Sequence, residues 1–547
     1  MVVINRITDE IIKVSGVKLL NVDPGRTTNR TVVTFAGSPE EVCEAAFQAV
    51  KKAAELIDMS QHHGEHPRMG ATDVCPLVPV SGVTMEETIK YARDLAGRIG
   101  KELKIPVYCY ENAAFKENRR NLATCRQGEY EGLPVKLTSA DWKPDFGPAE
   151  WNKNTARTGA TAVGARNFLI AYNINLNTTS VRRANAVAFD IREKGRMKRE
   201  GNQLTGNVVR DAAGEPVYEP GLLKGVKAIG WYIEEYGIAQ ISINITDLEA
   251  SPLHRVFDTA CEQAARRGLR VTGSELVGMV PLKTMLEAGR YFLQKQNRSS
   301  GIPEKEILKI AVKSLGLDDL TPFEPDKKII EYALKEAFQK NLIDLSIQSY
   351  ADETASESPA PGGGSASALI GALGASLAAM VANLSAHKAG WDNRWDEFSG
   401  IAEKAMELQK EMLKLVDEDT TAFNGILEAM RLPKDSDNDK NMRNKAIETA
   451  TQKAIEVPLQ VMRLAVASFD IIKVLVETGL PASASDAGVA AICARSAVMG
   501  AFLNVQINSK GIDNKDFINT ILTECNEIND KAILKETEII RLVEERM

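Results

Sequence analysis

The sequence predicts a multi-domain fold: two α/β units of the ferredoxin-like, α+β kind, followed by an all-α helical bundle. Three observations carry this expectation. Strand and helix signals alternate over the first part of the chain, which indicates layered α/β units. A β-α-β-β-α-β order then appears, the ferredoxin-like motif. From about Ile329 onward strand signals vanish and helical periodicity takes over. Boundaries fall at residues 1–160, 161–325 and 326–547, reasonable for a 547-residue chain, which is too long for one core.

In the first unit, VKLLNVD (17–23) and TVVTFA (31–36) read as strands around the turn-rich PGRTTNR. Ser38, Pro39 and Glu41 supply the cap, first-turn proline and third-position carboxylate of a helix start. That helix carries an apolar stripe from Val42 to Ile57. A second capping pattern, Thr84 with Glu87, opens a helix to about Leu103, and IPVYCY (105–110) is the next strand. Residues 144–159 are rich in turn formers, and so long a loop in a compact domain is functional or disordered.

The second unit reads as one strand over Ala162–Leu176, a helix over Thr179–Arg196, a hairpin of Val226–Glu234 with Ile238–Ile245, a helix from Ser251-Pro252, and a strand over Leu269–Met279. Residues 200–221 look like an insertion, and short helices from Leu282 to about Leu315 close this half.

No Asp, Glu, Lys or Arg lies between Glu357 and Lys388, so this stretch imitates a membrane span. Its content is mostly Ala, Gly and Ser without aromatic belts, which predicts a close-packed helix in a bundle or subunit interface, with no membrane crossing. A net charge of −7 argues against nucleic-acid binding. Seven scattered cysteines without a CxxC pair suit a reducing cytoplasm and give no zinc pattern.

Three of the five histidines, His62, His63 and His66, cluster in HHGEHPRMGATD with Glu65, Arg68 and Asp73. Gly64, Pro67 and Gly70 shape this run into a loop between rigid elements. The cluster reads as an acid/base group, a metal site or a solvated polar loop. The same glycine and proline disfavour the one-turn spacing of helical metal motifs, so acid/base work is the better reading.

In the helical half, Gly362, Gly363 and Gly364 run straight into the uncharged helix, an arrangement suited either to a ligand at a helix start or to a linker. In the long helix from about Trp395 to Arg431, Asp419 falls amid the apolar stripe of Leu408, Met412, Leu415, Val416, Ala422, Phe423 and Ile426, while Glu418 points away beside Lys414. A carboxylate on a buried face is costly unless paired or used. Asp419 is therefore a proton donor or acceptor, the partner of a basic residue, or the cap of a neighbouring helix.

Taken together, HHGEHPRMGATDVCPLVPV, DFGP followed by GATAVGARNFLIAYNINL, LVGMVPL, APGGGS and LVDEDTTAFN resemble the bifunctional formimidoyltransferase–cyclodeaminase family, in order and over nearly the whole chain. The resemblance implies transfer of the formimino group of N-formimino-L-glutamate to N5 of tetrahydrofolate, then closure to 5,10-methenyltetrahydrofolate with loss of ammonia, in histidine breakdown. By motif, His66 matches the transferase histidine and Asp419 the cyclodeaminase acid/base. The loop bounded by Gly147-Pro148 and Thr158-Gly159 matches the folate segment, and Gly362–Gly364 would contact folate. Asp23 is the candidate to orient the His66 ring. The family also implies polyglutamylated tetrahydrofolate as co-substrate, no metal, and a ring-shaped homo-oligomer, by analogy an octamer. Family members usually open with a strand like CVPNFSEG, and this sequence starts after it. A cyclodeaminase-only enzyme, or a non-catalytic folate-binding scaffold, is the alternative expectation on that ground.

Overall fold

The computed structural model of the chain describes residues 1–25, 29–62, 68–201, 206–335, 341–358, 360–512 and 514–547. They divide into two compact units, Met1–Met285 with Leu315–Phe338, and Leu286–Ser314 with Gln339–Met547.

The first unit opens on helix α1 (Val2–Ile12), followed by strands β1 (Lys18–Gly25) and β2 (Arg30–Ala36), which pair antiparallel as a sheet of their own. Helix α2 (Pro39–Leu56) has its proline in the first turn and buries Ala45, Ala46, Phe47, Val50 and Ala53. Helix α3 (Met85–Arg98) starts at a complete capping box. The Thr84 hydroxyl accepts from the Glu87 amide at 3.2 Å, and the Glu87 carboxylate accepts from the Thr84 amide at 2.9 Å.

Strands β3 (Val74–Leu77), β4 (Val107–Glu111) and β5 (Thr161–Ala165) form a parallel sheet in the order β3-β5-β4. The central strand is buried along its whole length, as parallel sheets require. Leu95, Ala96, Ile99, Val107 and Val163 share one core with it.

The single strand expected over 162–176 is in fact two. Thr161–Ala165 belongs to the parallel sheet, whereas Ile170–Leu176 (β6) belongs to a different, antiparallel one. Arg166 makes the break, its amide donating to the Leu77 carbonyl at 3.1 Å and its guanidinium to the Asn167 carbonyl at 3.0 Å. Fifteen extended residues would span roughly 50 Å, far beyond an ordinary strand. Both halves are buried strands, and only the short polar pair Arg166-Asn167 marks the boundary between them.

The antiparallel sheet continues with β7 (Val226–Ile233), β8 (Ile238–Ile245) and β9 (Val271–Val277), in the spatial order β9-β6-β8-β7. Helices α4 (Val181–Ile191) and α5 (Leu253–Arg266) pack on it and on each other, completing the ferredoxin-like arrangement that the sequence predicts. Among the described residues, the 200–221 excursion carries a two-residue ladder between Arg196–Met197 and Tyr218–Glu219 and isolated bridges.

The second unit is helical. Helix α6 (Gly363–Ala386) packs between α7 (Trp395–Met430) and α9 (Ala484–Ser509). Helix α8 (Asp437–Thr478) closes the ring against α7 and α9, and α10 (Lys515–Arg546) lies over α8 and α9. The uncharged α6 is the close-packed helix expected from composition. Its buried face is Gly364, Ser365, Ala368, Gly371, Ala372, Ala375, Ala378, Ala379 and Ala382. Small residues let the helix axes approach: a methyl on Gly371 would stand 2.6 Å from the Met412 sulfur. By length and composition, α6 and Pro481–Ser509 could each cross a membrane, yet 61% and 50% of their most apolar windows are buried inside the bundle.

One buried ion pair organises the irregular segment before β5. Arg119 is fully buried and donates to Asp145 at 2.5 Å and to the carbonyls of Lys143 and Asp141 at 2.7 and 3.2 Å. The second Asp145 oxygen accepts from the Cys109 amide of β4 at 2.8 Å. Removing one partner of such a pair strands a buried charge, at about 3–5 kcal/mol. Arg119→Met is expected to destabilise the first unit by that amount, read as a lower urea midpoint by tryptophan fluorescence. An unchanged midpoint would show that the pair does not hold the segment.

Candidate active sites

Two constellations assemble, one in each unit. In the first, the histidine loop is clamped on either side. Asp58 accepts from the Ser60 amide at 3.0 Å, and the Arg68 guanidinium donates to the His62 carbonyl at 3.2 Å and pairs with Glu131 at 2.6 Å. Asp73 accepts from the Met69 amide at 3.0 Å and from Arg126 at 2.7 Å. Arg68 and Asp73, flagged with the histidines in the sequence, therefore hold the loop's ends. The His62 Nδ1 atom is buried and has no partner among the described residues. His66, like His63 and Glu65, lies outside the described residues.

What the structure does place is the ground on which that loop stands. Gly159 pairs with Gly70 in an antiparallel bridge, the Ala71 amide donates to the Thr158 carbonyl at 2.8 Å, and the Ala160 amide to the Met69 carbonyl at 3.0 Å. The end of the folate-like segment is thus stitched to the residues that follow the histidine loop. Gly159 has φ +65° and ψ −151°, a region that glycine alone occupies readily, and a Cβ there would sit 2.3 Å from the Met69 carbonyl oxygen. Thr158 is buried at the end of the short helix Lys153–Thr158, which Asn152 caps. Gly147 and Pro148 follow Phe146, whose carbonyl accepts from the Val107 amide at 2.9 Å. The parallel register sets Val74 beside Ala162 and Val107 beside Thr161, so Gly70, Gly159 and Gly147 all gather at the amino end of this sheet. Asp23 lies on β1, exposed, with no hydrogen bond or ion pair to the described residues.

The second constellation centres on Asp419. Glu418 pairs with Lys414 at 3.1 Å on the outer side of α7, while Asp419 turns inward, flanked by buried Leu415, Val416 and Ala422. Its Oδ2 atom accepts from the Ser365 amide at 2.8 Å and from the Ser365 hydroxyl at 3.0 Å. Ser365 lies in the first turn of α6, so Asp419 caps a neighbouring helix, one of the roles that spacing left open. Oδ1 accepts no hydrogen bond from the described residues. It lies against Gly364, where a Cβ would come within 2.1 Å. Burial raises the Asp419 pKa above the ordinary carboxylate range, and the two Ser365 hydrogen bonds oppose the rise. Gly363 stands beside the Asn504 amide group, and Gly362 borders open space. The helix start that invited an outside anion is thus occupied in part by the chain's own carboxylate.

Comparison with known proteins follows this division. Residues 1–166 match the formiminotransferase domain, N-terminal subdomain; residues 171–335 match the formiminotransferase domain; and residues 346–527 match formiminotransferase-cyclodeaminase. The chain is 40% identical over 516 residues to the formimidoyltransferase-cyclodeaminase of Sus scrofa, covering 94% of this chain and 91% of that protein. The chain belongs to the formimidoyltransferase-cyclodeaminase family. The glutamate formimidoyltransferase of Streptococcus pyogenes is 40% identical over 52% of this chain and 86% of its own length. The methenyltetrahydrofolate cyclohydrolase of Methylorubrum extorquens is 33% identical over 34% of this chain and 93% of its own length. Family membership makes the chain an enzyme of folate chemistry with a transferase half and a cyclodeaminase half.

Sequence reasoning missed two supporting groups. Ser365 is the partner of Asp419, but the pair spans 54 positions on different helices and leaves no local signal. The Arg119–Asp145 pair anchors the segment that leads into Gly147, and DFGP was noted without its arginine. A substitution series tests how tightly Gly159 is held. Gly214→Ala places a side chain at φ +82° in open space and should cost about 1 kcal/mol. Gly159→Ala adds the collision with Met69 and should cost at least about 2 kcal/mol by urea unfolding. Equal costs would mean that the close approach is not there.

Proposed function

We infer that this enzyme transfers the formimino group of N-formimino-L-glutamate to N5 of tetrahydrofolate, and then closes 5-formiminotetrahydrofolate to 5,10-methenyltetrahydrofolate with release of ammonia. The unbroken family match over both modules carries the reading, and the Asp419 geometry agrees with it. In the first reaction N5 attacks the amidine carbon and loses a proton, and the glutamate nitrogen leaves with one. His66 is assigned that proton transfer, since a neutral imidazole can accept and return a proton near pH 7. Asp23 is assigned the orientation of the imidazole, and Gly147-Pro148 with Thr158-Gly159 the folate segment. In the second reaction N10 attacks the same carbon. Asp419 takes the N10 proton on Oδ1 and delivers it to the departing nitrogen, while Oδ2 stays fixed by Ser365. Gly362–Gly364 form the folate-contacting start of α6.

The finer assignments belong to the same proposal: a place in histidine breakdown, in the cytoplasm, with polyglutamylated folates as co-substrates. Seven free thiols support a reducing compartment. A cleft of about 400 Å³ in the first unit, lined by Lys18, Lys327 and Lys328 together with Asp326, supports recognition of a polyanionic tail. A homo-oligomer, ring-shaped as in the family, is supported by an apolar face shared by α6 and α9. Leu373, Leu384, Val489, Ile492, Leu503 and Ile507 are 46–58% exposed there, more apolar surface than a monomer ordinarily leaves in water. Light scattering of the purified protein tests this, and a monomer would refute it.

The decisive experiment separates the halves. Methenyl absorbance is followed after supplying formiminoglutamate with tetrahydrofolate, or 5-formiminotetrahydrofolate directly. His66→Gln should lower transfer about 100-fold or more and leave closure intact, with a smaller loss for Asp23→Asn. Asp419→Asn should abolish closure and spare transfer; loss of both activities would indicate a structural role. A stability measurement adds an independent check. A carboxyl whose folded pKa is raised binds its proton more tightly folded than unfolded. Its stabilising contribution is present in acid and lost as pH rises from about 4 through the raised value. Asp419→Asn should therefore lose less stability than the parent chain between pH 4 and 7. An identical pH dependence would contradict the burial argument.

A further inference from the structure

Two side chains that grip the histidine loop come from one short turn, residues 126–131. Arg126 pairs with Asp73 at 2.7 Å, their side chains only 12% and 13% exposed, and Glu131 pairs with Arg68 at 2.6 Å. The turn is shaped to present them. Gly128 and Glu129 have φ of +85° and +53°, the Glu129 amide donates to the Arg126 carbonyl at 2.8 Å, and the Gly132 amide to the Gly128 carbonyl at 2.7 Å. The buried Lys136 ammonium fixes its base, donating to the carbonyls of Cys125 and Gln127, one on each side of Arg126. Between the two gripping residues stands Tyr130, to which the proposed reactions give no part. Its ring meets that of Trp151 edge-on at 5.6 Å, and its hydroxyl donates to the Ala156 carbonyl at 2.5 Å. That carbonyl is open because the Ala160 amide, four residues on, donates to Met69 instead of continuing the helix Lys153–Thr158.

We propose that Tyr130 is a positioning residue of the transferase, joining the folate segment to the histidine loop through this turn. The proposal rests on the assignment of residues 147–159 to folate and of proton transfer to His66. Asn154 and Arg157 tie the helix Lys153–Thr158 to the carbonyls of Lys104 and Glu55, and the bonds of Thr158 and Ala160 stitch its end to the loop's far side. Tyr130 adds the tie to the turn that grips the loop at Arg68 and Asp73. Folate segment and loop are then set by one rigid piece. Without the hydroxyl they move independently, and a misplacement of about 1 Å is costly when a group passes between two bound molecules. The ion pairs of Arg126 and Glu131 survive that loss, so the loop keeps its clamp while its register with the folate segment goes.

Tyr130→Phe in the full-length chain removes the oxygen and keeps the ring against Trp151. In formimino transfer, kcat/KM for tetrahydrofolate should fall about fivefold, while closure of 5-formiminotetrahydrofolate supplied directly matches the parent chain. Arg126→Gln should also slow transfer, because it frees Asp73. The double variant carries the test that two independent structural losses would not meet. If both residues act through one turn, its kcat/KM should equal that of the worse single variant; independent effects would multiply. Should Arg126→Gln fail to fold, Glu131→Gln takes its place, at a side chain 62% exposed. An unchanged kcat/KM in Tyr130→Phe, or a double variant whose loss is the product of the two, would each overturn the assignment. His66→Gln in the same assay keeps the two ideas apart. If it transfers at the parent rate, the histidine reading itself fails. If it is inactive while Tyr130→Phe is fully active, only the role of Tyr130 fails.

Discussion

A single carboxylate held at the start of a neighbouring helix sets the terms for the helical unit. Asp419 leaves α7, meets the first turn of α6, and satisfies the Ser365 amide and hydroxyl through one oxygen. The contact requires the two helices to approach within hydrogen-bond reach, and side chains at their crossing must be small for that. Gly364 is the extreme case, since any Cβ would displace the Asp419 Oδ1 atom. The run of glycine, alanine and serine down α6 has the same cause and needs no membrane to explain it. Opposing effects then set the proton affinity. Burial disfavours the charge, and the helix start with the serine favours it. Burial prevails, and the net effect is a pKa raised above the ordinary aspartate value.

The first unit achieves its positioning by a different means, the stitching of loop backbone to loop backbone. The Gly70–Gly159 bridge joins the residues after the histidine loop to the entry of β5, and the Arg119–Asp145 pair secures the segment before Gly147 to β4. Both devices act at the amino end of the parallel sheet, whereas open α/β sheets usually place ligands at the carboxyl end.

The sequence was most legible where the physics is local. The Thr84–Glu87 box, the proline start of α2 and the hairpin of Val226–Glu234 with Ile238–Ile245 each involve residues close in sequence, and each formed as expected. Asp419 was visible because a helix of 36 residues makes its periodicity unambiguous. The boundary near Arg166 was easily overlooked, because β5 and β6 are both buried strands and the only mark between them is the short polar pair Arg166-Asn167. Ser365, Arg119 and the stitch between Gly70 and Gly159 were invisible for another reason. Each joins residues distant in sequence, and neither partner has an unusual neighbourhood of its own. The histidine cluster was legible as chemistry from scarcity alone, but the choice of His66 came only with the family motif.

The two oxygens of Asp419 bear on the ring-closing role proposed for it. The reaction moves one proton from N10 to a nitrogen bonded to the same carbon, so donor and acceptor sites lie close together. A single oxygen can serve both if the carboxyl group does not rotate between the two steps. Fixing Oδ2 by two hydrogen bonds to Ser365 removes that rotation, and Gly364 leaves Oδ1 room without letting it swing. On the proposed assignment, the chain holds an imidazole for the first proton transfer and a carboxyl fixed through one oxygen for the second.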